Sequence, residues 1–266
     1  FLVLLAILGS GPLVMLLASP LVDNYALFGV AGALCLYLSC RAVNAERYGW
    51  WVVGAGVAAG LATLTRVDGV LLAIAPAVAW ILRLERRRVA RAVGWGCASA
   101  AAFFIVLVPW LARDLAVYGS LFPSADAHML WIRTYNEQFS IGHQVSAATY
   151  LGSTSLVDIV GSRLAAWVEL LGRTAVLTGG IFVIFFVGGL WLARRRRDLL
   201  PFVAYFVVMF VVMGALFTFH GPKGAFYHSS QAWLPFAMPM AVAAIPPVAT
   251  GAAKWWRFLG RPATHR

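Results

Sequence analysis

The sequence contains little charge, and least of all negative charge. Aspartate, glutamate, lysine and arginine make up 12% of its 266 residues, and 10 of these side chains are acidic against 21 basic ones. A soluble domain has about a quarter of its residues charged. The apolar share is 62%, and the mean hydropathy is +0.83. This composition excludes a soluble globular protein and a disordered chain, and it indicates a polytopic helical membrane protein.

Cysteine is also scarce, and the motifs of several soluble enzyme classes are absent. The three cysteines, Cys35, Cys40 and Cys97, lie in apolar runs without the spacing of a metal site. A disulfide framework is therefore not predicted. The sequence contains no Walker loop, dinucleotide glycine motif, HExxH motif or nucleophile elbow. Nucleotide chemistry of the soluble type is unsupported, and no metal site is assigned.

Long apolar runs are what the sequence has in abundance. A spanning helix needs about 20 mostly apolar residues, and eight runs approach this length, although some are short. We predict an all-α fold, a polytopic transmembrane helical bundle that forms a single domain over residues 1–266. The chain starts at Phe1 within such a run, so we expect it to be a fragment cut in or just before a membrane helix. The predicted spans are 1–19, 25–40, 50–65, 69–84, 94–112, 176–193, 199–219 and 233–248.

Basic residues orient the predicted spans. Fifteen of the 21 lysines and arginines fall on one side of the bundle, which the positive-inside rule makes cytoplasmic. Both ends of the chain then lie in the cytoplasm, in a multi-pass protein of the cell (plasma or inner) membrane. Topology alone accounts for the arginine runs, so nucleic acid is not a predicted partner. The basic residues of this side are Arg41, Arg47, Arg83, Arg86, Arg87, Arg88, Arg91, Arg194, Arg195, Arg196, Arg197, Lys254, Arg257, Arg261 and Arg266.

One long loop, residues 115–175, is predicted on the outer side. Loops of this length are uncommon and often functional. The second half of the loop contains an apolar stripe with helical spacing. We predict an amphipathic helix here, which either contacts the membrane surface or packs onto the outer ends of the spans. The stripe consists of Val160, Leu164, Trp167, Val168 and Leu171.

Charged residues at the outer ends of the spans are candidates for chemistry. Asp23 opens the second span in SPLVDNYALF. It is a candidate catalytic carboxylate and a candidate N-cap of that helix, and the two roles are compatible. Arg66 and Asp68 interrupt the apolar sequence within LTRVDG. Ionisable residues near membrane depth are costly unless they are paired or functional, and arginine can bind a phosphate through two N–H groups. The alternative is an ion pair that closes a helical hairpin.

Two further segments carry candidate residues for binding phosphate or sugar. Arg113 follows Trp110 at the end of a span, at the depth of a lipid phosphate, unless it only anchors the helix at the interface. In HGPKGAFYHSSQAWLPF, residues 220–236, Lys223 could meet a phosphate. His228 in the same turn could hydrogen-bond a sugar or transfer a proton. A plain polar hairpin is the alternative interpretation.

Three of these segments, in this order, resemble the motifs of one enzyme group. LTRVDG resembles LTRP(E/D)G, and PWLARDLAVYGSLFPS (residues 109–124) resembles PWxxRNxxxFGxxxP, both from the C superfamily of polytopic glycosyltransferases. LVDNYALFGVAGALCLYL is similar to a span with an acidic start in the same enzymes, and WIRTYNEQFS and FYHSSQAWLPF look like a bacterial branch. The group includes enzymes like dolichyl-phosphate-mannose–protein mannosyltransferase and aminoarabinose transferase. Val67 replaces a usual proline here, and Asp114 a usual asparagine.

The resemblance implies a transferase that moves a hexose or pentose from a polyprenyl phosphate to an acceptor at the outer membrane face. It implies a carboxylate that deprotonates the acceptor hydroxyl and basic groups that stabilise the leaving phosphate. By the match, Arg66 and Arg113 are phosphate or structural partners, and Asp23 resembles the second acidic position of the family. The main catalytic aspartate of these enzymes lies in the first outer loop, so we expect it upstream of this chain.

Functions of two other classes stay open. A transporter or flippase of a lipid-linked substrate is one, although charges at the span ends and the lack of a visible repeat argue against it. A non-catalytic membrane subunit is the other. The expected partners are a polyprenyl-phosphate-linked sugar, an acceptor that is a glycan, lipid or protein, and the lipid bilayer. No cofactor is assigned, but the outer acidic residues could bind a divalent cation.

Overall fold

The computed structural model describes residues 24–84, 89–121, 129–139, 145–217 and 219–259. Within these ranges the chain forms α-helices with short 3-10 and π turns and contains no strand, which confirms the predicted all-α fold. The α-helices are α1 (Tyr25–Asn44), α2 (Tyr48–Thr65), α3 (Ile74–Leu82), α4 (Val89–Tyr118), α5 (Tyr135–Phe139), α6 (Ala147–Ser153), α7 (Leu156–Leu177), α8 (Phe182–Ala193), α9 (Leu200–Ala215) and α10 (Phe226–Leu259).

Four described helices are long and apolar enough to cross a membrane, namely α1, α4, α9 with its preceding turn, and α10. The bent pair α7 and α8 makes a fifth if it is counted as one span. This is fewer than the eight predicted spans. The first prediction, 1–19, lies outside the described residues, the third is the 18-residue helix α2, and the fourth is the shorter apolar element Val67–Leu82. The chain is a multi-pass membrane protein.

The predicted span 176–193 is divided in the structure. Helix α7 ends at Leu177, α8 begins at Phe182, and the two helices are bent by 104°. Gly179 and Gly180 in the connection have φ angles of 79° and 69°, a left-handed backbone that glycine adopts because it has no Cβ. The apolar composition continues across this turn, so hydropathy did not reveal the break.

The core of the bundle is centred on Trp233 of α10, which is fully buried. Its ring stacks on Phe186 of α8 at 5.4 Å between centroids and meets Phe206 of α9 edge-on at 5.2 Å. Stacked and edge-to-face arrangements are the favoured geometries of aromatic pairs. The last long helix is therefore fixed against both α8 and α9.

Small residues allow α2 to lie close to its neighbours. A Cβ atom on Gly56 would lie 2.4 Å from the carbonyl oxygen of Ser99 in α4, so only glycine permits this approach. The hydroxyl of Ser99 donates a hydrogen bond of 2.8 Å to the carbonyl of Val52. Close contact through small residues and interhelical hydrogen bonds is the usual basis of helix packing in membranes.

The charged residues gather at two opposite ends of the bundle. At one end Arg83 donates to the carbonyls of Val43 and Ala45 at 3.4 and 3.2 Å, and Arg197 donates to the carbonyl of Leu82 at 3.3 Å. We call this the arginine end. At the other end of α2 lies Arg66, paired with Asp68, and we call this the Asp68 end.

The predicted long loop 115–175 contains helices α5 and α6 and most of α7 among its described residues. The predicted apolar stripe lies on α7, and four of its members are exposed by 55–69%, while Trp167 packs against the core. The buried positions of α7 include Ala166, Leu170 and Thr174 instead. This exposure favours lipid contact over packing onto the spans. The exposed members are Val160, Leu164, Val168 and Leu171.

Candidate functional site

The LTRVDG segment forms a compact turn at the Asp68 end. Helix α2 ends at Thr65, Arg66 has an extended backbone, and a 3-10 helix follows over Val67–Ala73. This turn packs directly on the helix before it, since a Cβ atom on Gly69 would lie 2.5 Å from the backbone of Ala62 and Thr63. The glycine of the motif is thus required by the close approach of two backbone segments.

Asp68 is the centre of a polar network that this turn creates. Its Oδ1 accepts a hydrogen bond of 3.0 Å from Nε of Arg66, and its Oδ2 accepts one from the hydroxyl of Ser229 in α10. The side chains of Arg66 and Asp68 are 18% and 8% exposed. Arg66 uses only Nε for this pair, so among the described residues its two terminal NH₂ groups make no hydrogen bond. The turn after α2 and helix α10, far apart in the sequence, are joined here.

Ser229 belongs to the segment that sequence reasoning singled out, but it was not among the predicted site residues. It is 1% exposed, and its hydroxyl also lies 3.1 Å from the carbonyl of Ala225. A serine inside an apolar helix is common and carries no distinct signal. The pairing with Asp68 depends on residues 161 positions apart, so no local pattern could have indicated it.

The start of α1 lies beside the same turn. The side chain of Asn24, the residue before α1, donates a hydrogen bond of 2.8 Å to the carbonyl of Thr65. The ring of Tyr25 stacks on His228 of α10 at 3.7 Å between centroids. His228 therefore lies beside the start of α1, at the Asp68 end. Asp23, the predicted catalytic carboxylate, lies outside the described residues.

A cavity of about 180 Å³ opens beside the ion pair. Arg66, Asp68 and His220 line its polar side. Burial and the nearby guanidinium of Arg66 lower the pKa of His220 from its usual 6.5, although Asp68 opposes the shift. His220 is consequently biased towards its neutral form, which can both donate and accept a hydrogen bond. The apolar side of the cavity includes Val70, Leu71, Met213 and Phe217.

A larger apolar groove of about 550 Å³ lies next to this cavity, since Val70 lines both. The groove extends along α3 to Trp80, between α2 and α4. Ten residues of helix cover about 15 Å, which is half of a typical hydrocarbon core. A ligand with a charged head and a long apolar tail fits this combination. The α4 side of the groove contains Val93, Gly96, Ala100, Phe103 and Phe104.

Lys223 belongs to a second ionic cluster near the same turn. Its Nζ lies 3.0 and 3.2 Å from the carboxylate oxygens of Glu169 in α7. Glu169 also pairs with Arg173 at 2.9 Å, and Arg173 donates to the hydroxyl of Tyr227 in α10. The cluster ties the amphipathic helix α7 to the start of α10. Lys223 is thus engaged by a carboxylate and does not line the Arg66 cavity.

Arg113 is not part of the lining of the Arg66 cavity. It forms an ion pair of 2.9 Å with Asp114, and its guanidinium lies over the rings of Trp110 at 4.9 Å and Tyr118 at 5.9 Å. These contacts are all within α4. The Arg113 side chain is 49% exposed, and that of Asp114 is 6% exposed. The geometry resembles an interfacial anchor more than a phosphate site shared with Arg66.

No group of three or more histidine, cysteine, aspartate or glutamate side chains that could bind a metal occurs in the described parts of the chain. The predicted divalent cation therefore has no ligand set in these residues. Because Asp23 and Asp126 lie outside them, the possibility of a cation at the outer acidic residues stays a prediction.

The bundle and its charged site define a class of protein: a multi-pass helical membrane protein with an ion-paired cavity at one end. Residues 2–112 match the family described as dolichyl-phosphate-mannose-protein mannosyltransferase, which confirms the predicted resemblance and supports a membrane glycosyltransferase. The match includes LTRVDG and the start of α1, and it ends within the PWLARD motif. Neither the curated proteins nor the solved structures gave a match to this chain.

Proposed function

We propose that this protein transfers a sugar from a polyprenyl-phosphate donor to an acceptor at the outer membrane face. The observation that carries the proposal is the cavity at Arg66, Asp68 and His220, which lies beside an apolar groove and shares the lining residue Val70 with it. A charged site next to an apolar groove suits a lipid whose phosphate carries the sugar. The family match over residues 2–112 supports the same type of chemistry.

Arg66 is the proposed partner of the donor phosphate. Asp68 accepts from its Nε, which fixes the guanidinium plane and leaves the two NH₂ groups for phosphate oxygens. Charge-assisted pairs of this geometry are among the strongest hydrogen bonds in proteins. The polyprenyl tail then lies along the groove beside α3. There it contacts apolar side chains of the protein in place of lipid acyl chains.

Sugar transfer requires one bond to form and one to break. The acceptor hydroxyl oxygen attacks the anomeric carbon, and the bond between that carbon and the phosphate oxygen breaks. The hydroxyl proton passes to a carboxylate base, and the electron pair leaves with the polyprenyl phosphate. Arg66 stabilises the charge that grows on this phosphate in the transition state.

We assign supporting roles to the other predicted residues. Asp23 is the candidate base within this chain, and His228 beside Ser229 is a candidate for the sugar or acceptor. Lys223 acts through Glu169 in positioning α7, unless a ligand displaces that carboxylate. Arg113 anchors α4 at the depth of the donor phosphate.

The test is a transfer assay on the full-length protein in membrane vesicles, with polyprenyl phosphates that carry radiolabelled mannose or aminoarabinose. We expect Arg66→Gln to lower the rate by about 100-fold, because a transition-state donor is lost, and Arg66→Lys to restore part of it. Arg195→Gln at the arginine end is the matched control and should leave the rate unchanged. Normal transfer by Arg66→Gln would contradict the assigned role.

The same vesicles distinguish the alternative functions. A flippase moves the labelled donor across the bilayer and leaves its sugar–phosphate bond intact. A non-catalytic subunit neither cleaves nor moves the donor by itself. Cleavage of the donor with appearance of label in an acceptor is the outcome that only a transferase gives.

A further inference from the structure

A second cavity lies at the arginine end, separate from the proposed glycosyltransferase site. Its volume is about 310 Å³. It surrounds the start of α2, whereas Arg66 follows the end of that helix. Eighteen residues of α-helix extend about 27 Å, which is close to the thickness of a hydrocarbon core. The two cavities thus lie at opposite ends of α2, separated by about the thickness of a hydrocarbon core. We call this cavity the arginine pocket, and its main side chains are Arg47, Tyr48, Trp50, Arg83, Arg91 and Trp95.

Three arginines from separate parts of the chain line the arginine pocket. Arg47 precedes α2, Arg83 follows α3, and Arg91 lies in the first turn of α4. Among the described residues of the lining, Glu46 is the only acidic one, and none of the three arginines has an ion pair in the described part of the chain. The pocket therefore carries excess positive charge, and basic pockets between membrane helices bind anionic lipid headgroups.

The guanidinium of Arg83 is held in place at the wall of the arginine pocket. Its terminal N–H groups donate to the carbonyls of Val43 and Ala45 at 3.4 and 3.2 Å, and its guanidinium lies over the ring of Tyr48 at 4.9 Å. Its Nε is buried and has no hydrogen-bond partner among the described residues. Arg83 has no carboxylate partner among the described residues, so its charge is not compensated there. A phosphate in the pocket that Arg83 lines would supply the missing negative charge.

Two tryptophans form the apolar side of the arginine pocket. Trp50 and Trp95 lie 5.4 Å apart between ring centroids, and Trp50 is 68% exposed. A Cβ atom on Gly49 would lie 2.2 Å from the ring of Trp95, so the glycine makes room for that ring against α2. Tryptophan prefers the boundary between headgroups and acyl chains. The pocket therefore offers surface for a glycerol backbone and the first methylenes of an acyl chain, beyond the phosphate itself.

We propose that the arginine pocket binds the headgroup of an anionic phospholipid. The phosphate contacts Arg47, Arg83 and Arg91, and the glycerol and acyl chains leave the pocket past Trp50 and Trp95. This lipid is separate from the sugar donor at the Asp68 end, so the proposal does not depend on the proposed function. Its role is structural, since it ties the α1–α2 turn to α3 and α4.

The test is native mass spectrometry of the detergent-purified full-length protein with added phosphatidylglycerol or phosphatidylcholine. We expect one phosphatidylglycerol to bind in preference to phosphatidylcholine. Arg47→Gln with Arg91→Gln should weaken this binding about 25-fold, or about fivefold for each arginine near a membrane surface. Arg195→Gln is the matched control, because Arg195 is an exposed arginine of the same end that does not line the pocket.

Several outcomes would overturn the proposal. These are equal binding of the two lipids, equal binding of phosphatidylglycerol by the double variant and wild type, or an equal loss in Arg195→Gln. Displacement of the lipid by excess inorganic phosphate would assign the pocket to a soluble phosphate instead. If the double variant does not keep the helical circular dichroism of wild type, Arg91→Gln alone is compared with wild type. This single variant should bind phosphatidylglycerol about fivefold more weakly.

Discussion

At the scale of single residues, Asp68 organises the candidate site. One carboxylate accepts from Arg66 of its own turn and from Ser229 of α10, and it is nearly buried while it does so. A charge in such a place is stable because its partners are fixed by the backbone around it. The arrangement therefore depends on the carboxylate and on its partners. Substitutions of Asp68 and of Ser229 should lower the stability by unequal amounts.

Asp68→Asn should lower the free energy of unfolding by about 3 kcal/mol, because it leaves Arg66 partly buried without its counter-charge. Ser229→Ala should cost about 1.5 kcal/mol, the value of a hydrogen bond to a charged group. SDS titration in mixed micelles measures both. In the double variant the two costs should not add, since each removes the charge-assisted hydrogen bond between these side chains. Full additivity would show that Asp68 and Ser229 do not interact.

His220 should make the stability depend on pH. Its pKa in the folded protein is lowered by burial and by Arg66, whereas the unfolded chain has the usual value of 6.5. As the pH falls below the unfolded value, the unfolded state binds more protons than the folded state, so the folded state is progressively destabilised until the folded pKa is also passed.

Thermal unfolding in detergent between pH 8 and pH 5 measures this dependence. In wild type the stability of the folded state should decrease as the pH falls below about 6.5, and His220→Gln should lack the part of this decrease that is due to His220. The comparison uses the difference between the two proteins at each pH, because other groups titrate in both. A difference that stays constant over the whole range would contradict the lowered pKa.

At the scale of elements, the LTRVDG turn owes its shape to contact between backbones. Gly69→Ala would bring a methyl group within 2.5 Å of the backbone of Ala62 and Thr63. We expect a loss of about 3 kcal/mol or more, because backbone atoms cannot move aside as a flexible side chain can. Thermal unfolding and SDS titration are the measurements.

Gly94→Ala is the matched control for that substitution. Gly94 lies within α4, and an added Cβ there meets nothing within 4 Å. Alanine is favoured over glycine in helices by up to about 1 kcal/mol, so this variant should be as stable as the wild type or slightly more stable. Equal destabilisation by both substitutions would show that Gly69 is not in a confined position.

Helix α7 should contact lipid through its exposed apolar stripe. A fluorophore on Val168→Cys, with Cys97 replaced by serine, should be quenched more strongly by a nitroxide lipid than by a water-soluble nitroxide. Val168 is 69% exposed, and an exposed apolar side chain on an amphipathic helix is stabilised at a membrane surface. The same label on Asp158→Cys, in the first turn of α7, should show the opposite preference. Identical quenching at both positions would contradict the assigned orientation.

At the scale of the whole molecule, the two ends of the bundle should face opposite sides of the membrane. A cysteine introduced as Arg195→Cys marks the arginine end, and one introduced as Lys223→Cys marks the Asp68 end. A membrane-impermeant maleimide should label position 223 in intact spheroplasts and position 195 only after permeabilisation, because arginine-rich loops stay cytoplasmic. The reverse pattern would invert the proposed orientation and move the site to the inner face.

The sequence predicted the class of fold and most of the segments that form the site. Apolar runs located α1, α4, α9 and α10, because length and hydropathy are local properties of a spanning helix. The LTRVDG segment was recognised from its charges in apolar surroundings, and the family match covers it. Span boundaries were less predictable, since the break between α7 and α8 interrupts a continuous apolar run at two glycines.

What the sequence determined by itself is that the chain is a helical membrane protein with charged turns, because composition and hydropathy are set residue by residue. The tertiary structure alone decided which charges meet. It joined Asp68 to Ser229 and paired Lys223 with Glu169. It paired Arg113 with Asp114 of the same helix. It also brought Arg47, Arg83 and Arg91 together around one pocket. These contacts depend on how helices distant in sequence pack together, and packing is decided by small residues and ring contacts across the whole bundle.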